Sequence, residues 1–122
     1  MIPKDLSVNN ISKIYKKIRP FINQTPFLKC PEDIDNYFST NLFFKCEFLQ
    51  KSGSFKARGA INNIISQDQN KFNKGITAVS AGNHAIAASF VANQFKLKNK
   101  IFLYESATVS YTHLTLPTKR IV

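Results

Sequence analysis

The chain has 122 residues, two cysteines and a formal net charge of +10, enough for one compact core and too little for a two-domain enzyme with a complete active site. Its basic residues are mostly scattered lysines with no interleaved aromatic pattern, and an excess of Asn, Ile and Phe is what AT-rich coding produces, so the charge does not point to nucleic acid. No apolar run reaches membrane-spanning length, and Cys30 and Cys46 lie outside any metal-ligand spacing; with no secretory signal, the expectation is a cytoplasmic chain with reduced thiols, no metal and no membrane or nucleic-acid partner.

From Ser7 to Ile22, apolar residues recur at Val8, Ile11, Ile14, Ile18 and Ile22, which predicts a helix interrupted by Pro20. Thr25-Pro26 forces an extended or turning backbone. A polar stretch follows, and then Asn41 to Glu47 reads as a short strand. Lys51-Ser52-Gly53 is a loop, and Ser54 is the expected N-cap of a helix running through Ile65. Residues 66–74 read as a loop, Ile76 to Val79 as a strand, and Asn83 to about Phe95 as a second helix carrying small residues at Ala85, Ala88 and Ala92. A third strand is expected at Ile101 to Tyr104. From Thr108 onward the pattern stops: Val109-Ser110-Tyr111-Thr112-His113-Leu114-Thr115-Leu116-Pro117-Thr118 resembles a translated sequencing adapter. Residues 108–122 are therefore set aside as a non-native tail, leaving residues 1–107, with net charge +8, as a natural fragment of a longer gene. Strand–helix–strand alternation gives the fold class: α/β, a three-layer parallel sheet with crossover helices.

Two segments carry the chemistry. Gly53-Ser54-Phe55-Lys56-Ala57-Arg58-Gly59-Ala60 puts Lys56 in the first turn of a helix. Desolvation and the partial positive charge of a helix N-terminus both favour a neutral amine, and a neutral amine forms an imine with an aldehyde. Gly53 would let the backbone approach a flat ligand. Arg58 and Lys51 read as ordinary surface charges. Ser80-Ala81-Gly82-Asn83-His84 follows a strand at the end where open α/β sheets bind ligands. Its successive N–H groups suit a carboxylate or a phosphate, and the Asn83 amide can donate to a phenolate-like oxygen. The Gly-Lys-Ser/Thr ending of a phosphate-cradling loop is absent. His84 either acts as an acid or base or positions the loop. Amine chemistry on an anionic substrate is the common reading of the two segments.

Glu47 to Ala60, taken with Ser80 to Ala85 and with Thr25-Pro26, resembles the threonine/serine dehydratase (threonine ammonia-lyase) family of pyridoxal-phosphate enzymes, which have the tryptophan-synthase-β-like, fold-type II architecture. The resemblance runs from about Ser7 to Ala107. It implies pyridoxal 5'-phosphate as cofactor, held as an imine on Lys56, with Phe55 beside its ring and Asn83 bonded to its ring oxygen. It implies that Ser80, Ala81, Gly82, Asn83 and His84 receive the α-carboxylate of a small amino-acid substrate. Lys56, once displaced, would take the α-proton, and loss of the β-hydroxyl would lead to a 2-oxo acid and ammonia. Serine racemases are similar but carry serine where this chain has Ala81, so the resemblance favours elimination. The alternatives are a serine or aspartate racemase, another lyase of the same fold, and a non-catalytic basic binding fragment. The Gly-rich phosphate loop, the residue facing the pyridine nitrogen and the family's metal site fall outside these residues. The resemblance therefore implies an inactive fragment of a protein that is a homo-oligomer at full length. Tyr104-Glu105 stands where relatives have Pro-Glu, and Lys96-Leu97-Lys98 replaces a glycine at the turn after the second helix.

Overall fold

The computed structural model describes residues 6–103 and 119–120, and the reading of 108–118 and 121–122 as a tail lies outside them. Helix α1 (Val8–Ile18) starts at Ser7, whose hydroxyl accepts from the Asn10 N–H, and Lys16 and Lys17 favour its C-terminal dipole. Pro20 does not simply end it: Arg19–Phe21 continues as a 3₁₀ turn, which tolerates proline in its first positions. Two strands then pair antiparallel, β1 (Phe27–Lys29) with β2 (Phe43–Lys45), Leu28 facing Phe44. They form a sheet separate from the later strands, so the strand expected at Asn41–Glu47 exists in shortened form but outside the parallel sheet. Helix α2 (Glu32–Phe38), absent from the sequence expectation, joins β1 to β2; Glu32, Asp33 and Asp35 occupy its first turn, where the dipole favours acids. Its Asp35 is buried and accepts from the Leu42 N–H at 2.8 Å, fixing the entry to β2.

The α/β unit is built from α3 (Lys56–Ile65), β3 (Ile76–Val79), α4 (Asn83–Gln94) and β4 (Asn99–Leu103). β3 and β4 are parallel, with Ala78 opposite Ile101, and β5 (Lys119–Arg120) pairs parallel with the other side of β4. α3, β3 and α4 match the sequence expectation to within a residue, and the expected third strand appears two residues earlier, from Asn99. α4 lies between α3 and the sheet. Toward the sheet, Ala85 and Ala88 pack with Ala78, Ile101 and Leu103. On the other side, Val91 joins Ile61 and Ile64 of α3 with Ile18 and Ile22. The small residues let α4 approach the sheet closely, and Ala87 and Ala92 are wholly covered. The turn into β4 holds Lys96 at φ 54, the left-handed region where a glycine sits without strain. Gly75, at φ 90, lies so close to the Lys98 carbonyl that an added Cβ would collide with its oxygen.

Candidate functional site

Lys56 is the first residue of α3 and is exposed; its ammonium lies over the Phe55 ring, 5.1 Å from the centroid. The desolvation expected for its amine is therefore not present in this chain, while its place at the helix N-terminus is. Ser54, expected as the N-cap, is not: the cap position is Phe55, which offers no side-chain bond, and the Ser54 hydroxyl is buried without a partner. The loop ahead is shaped instead by Gly53, at φ 70, and by Gln50. Gln50 is buried and bonds Asn23 twice, accepting from its N–H at 2.8 Å and donating to its carbonyl at 2.9 Å. The same oxygen accepts from the Lys51 N–H, and Lys51 itself is an exposed charge as expected.

Arg58 is not the ordinary surface charge that its sequence context implies. Its Nε donates to Glu47 Oε2 at 2.8 Å and its Nη2 to Oε1 at 2.6 Å, a two-pronged pair in which both side chains are largely covered. The Thr25 hydroxyl donates to the same carboxylate at 2.5 Å, and the Thr25 carbonyl accepts from Lys45 Nζ at 2.6 Å. Hydrogen bonding from Arg58, helped by Thr25 and by the charges of Arg58 and Lys45, holds the Glu47 carboxyl below the ordinary carboxylate range, against the opposing effect of burial. Thr25, Glu47 and Arg58 are separated by 22 and 11 residues, so no local motif links them. Their presence within Thr25-Pro26 and the Glu47 to Ala60 run was the available signal.

The Ser80–His84 turn stands at the carboxyl end of β3, as the sequence implies. Ser80 is tied to the sheet by its N–H on the Phe102 carbonyl, and its hydroxyl accepts from the Gly82 N–H at 3.2 Å. Among the described residues, the N–H groups of Ala81, Asn83 and His84 have no acceptor. Those donors open α4, where the helix dipole adds to them. Ala81 packs its methyl group toward the Ala78–Leu103 cluster, and Asn83 and His84 are exposed. His84 borders a cavity of about 360 Å³ between α3, α4 and β3, lined also by Asn63, Thr77 and Ala88. α3 and α4 pack against each other, so both motifs begin neighbouring helices. Cys30 and Cys46 are free thiols buried at opposite ends of the β1–β2 pair, and burial pushes the Cys30 thiol up. No described helix is long and apolar enough to cross a membrane.

An accessible amine, an exposed aromatic ring, an exposed amide and unpaired N–H donors are a donor set that fits an aldehyde cofactor of aromatic type together with a carboxylate substrate. The family described as pyridoxal-phosphate dependent enzyme matches residues 18–119. Serine racemase of Arabidopsis thaliana is 43% identical over 83 residues, covering 68% of this chain and 25% of its own length. The catabolic L-threonine dehydratase of Staphylococcus aureus is 34% identical over 110 residues, covering 90% of this chain and 32% of its own. Maize serine racemase superposes with a TM-score of 0.84 at 32% identity, over 94% of this chain and 35% of that one. The chain thus spans about a quarter to a third of the relatives it matches.

Proposed function

The chain belongs to the pyridoxal-phosphate dependent enzyme family, and from that premise we propose that the whole protein deaminates L-threonine, L-serine or both to a 2-oxo acid and ammonia. When bound, pyridoxal phosphate supplies the electron sink for the pair left at the substrate α-carbon. Lys56 Nζ holds the cofactor and then carries the α-proton. The Phe55 ring, 57% exposed, would lie against the cofactor ring, and the exposed Asn83 amide would donate to its ring oxygen. The turn of Ser80, Ala81, Gly82, Asn83 and His84 receives the substrate carboxylate on its unpaired N–H groups. Residues 1–107 would be the N-terminal part of the enzyme domain and 108–122 a non-native tail; the family match running to residue 119 makes resequencing beyond codon 107 the direct check. The active form is proposed to be a cytoplasmic homo-oligomer.

Elimination rests on one observation, the methyl group of Ala81, which has no proton to give or take at the position where the resemblance puts a racemase serine. Racemisation of serine is the second reading, favoured by the 43% identity to a serine racemase. Incubating the full-length protein with L-serine and L-threonine separates them: 2-oxo acid release without D-serine supports deamination, and D-serine as main product supports racemisation. Ala81→Ser should then raise the D-serine share by about tenfold, read by chiral chromatography.

A further inference from the structure

Among the described residues, no side-chain hydrogen bond adjacent to Lys56 fixes where α3 begins. Its cap residue makes no side-chain bond, its first turn has no acid, and the hydroxyl of Ser54 is buried unpartnered. Yet Arg58, one position beyond Ala57, is held by both prongs on Glu47, in the 3₁₀ turn Glu47–Leu49 that follows β2. The pair closes the segment 47–58 into a loop. The Thr25 hydroxyl adds a third donor to the carboxylate, and Lys45 holds the Thr25 carbonyl in place. Three residues into the loop, Gln50 is paired to the backbone of Asn23. Three stretches of chain, before β1, after β2 and at the start of α3, thus meet on one carboxylate.

We infer that Glu47, Arg58 and Thr25 are positioning residues for the cofactor lysine, a clasp that fixes the first turn of α3 and so the place from which Lys56 presents its amine. The inference rests on the reading of Lys56 as that lysine. Arginine suits the role because its planar fork fixes direction as well as distance, whereas a lysine would supply charge alone. The closed loop limits the angles open to residues 53–55, which turn the chain into the helix through Gly53 at φ 70. Displacements of an ångström at an attacking group are known to cost up to about a hundredfold in rate.

The test uses the full-length protein stripped of cofactor, with reattachment of pyridoxal phosphate followed by absorbance and the labelled peptide identified after borohydride reduction. Glu47→Gln and Arg58→Lys should each slow attachment at Lys56 by about tenfold while melting above the assay temperature. The double variant should be no slower than the worse single, since the two act as one unit. Amide hydrogen exchange in the cofactor-free protein should rise at Ala57 and Arg58 in both. Thr25→Val, which removes one hydroxyl, should slow attachment about threefold, and it carries the test where the ion-pair variants do not fold. Lower melting points with attachment rates within twofold of the parent would overturn the positioning role and leave a structural one. A parent protein with no label on Lys56 would sink the reading of the lysine itself, and the clasp with it.

Discussion

The approach to α3 and the approach to α4 solve the same problem, bringing a loop to a helix N-terminus, by opposite means. Before α3, side chains do the holding: Thr25, Glu47, Gln50 and Arg58 make bonds that span 11 to 27 residues of chain, leaving Lys56 as the exposed product of a crowded polar network. Before α4, the sheet places Ser80, the Gly82 N–H donates to the Ser80 hydroxyl, and among the described residues the N–H groups of Ala81, Asn83 and His84 stay open. A covalent anchor needs its backbone fixed in direction. An anion-receiving turn needs its donors unspent. The contrast fits the proposed assignment of attachment to the first loop and carboxylate binding to the second.

The sharpest way to break that assignment is Lys56→Ala. It should abolish borohydride-fixed labelling while leaving the unfolding midpoint nearly unchanged, because the side chain is exposed; label persisting on another lysine would reverse the roles. Next in size, Glu47→Gln should lower stability by about 1–3 kcal/mol, since it weakens a largely covered charged pair, whereas Ser80→Ala should cost only about 0.5–1 kcal/mol for one neutral bond. Urea titration compares the two, and equal losses would erase the distinction between the loops.

Acid should weaken the first loop through Glu47. The Glu47 carboxyl is held below the ordinary carboxylate range, chiefly by its hydrogen bonds from Arg58. Its contribution is therefore fully present above about pH 5 and is lost as the pH falls through the depressed value. The urea midpoints of parent and Glu47→Gln should accordingly begin to converge below about pH 5 and go on converging as the pH falls through the depressed value. The smallest effect separates the glycines: Gly53→Ala, at φ 70, should cost about 1 kcal/mol, while Gly82→Ala, with extended backbone and open space around it, should be near neutral in thermal melts.

The parts of this molecule that were legible in its sequence are those whose cause is local. β3 ends at Val79 and α4 begins at Asn83 because apolar residues, a small-residue turn and helical spacing follow one another directly. β1 was not legible: three residues, Phe27 to Lys29, become a strand only because Phe43 to Lys45 lies opposite, and the stacked rings of Phe27 and Phe43 form across that pairing. α2 left a signal in Pro31-Glu32-Asp33 that polar composition concealed. At the site, Lys56 and the Ser80–His84 turn could be picked out by residue type and by their order along the chain. Arg58 could not be told from a surface charge, because its partners Glu47 and Thr25 become neighbours only once β1, β2 and α3 are assembled.

Gly75 carries a consequence for how this gene can vary. Its left-handed backbone and the Lys98 carbonyl where a side chain would begin exclude substitution on two independent grounds. The same Lys98 carbonyl accepts a hydrogen bond from the Ile76 N–H, so the obstructing oxygen also helps seat β3 beside β4. In a saturation library screened for folding alone, this codon would be an empty column beside tolerant ones at Gly59 and Gly82, and no second-site change in a side chain could refill it, because the obstacle is main chain.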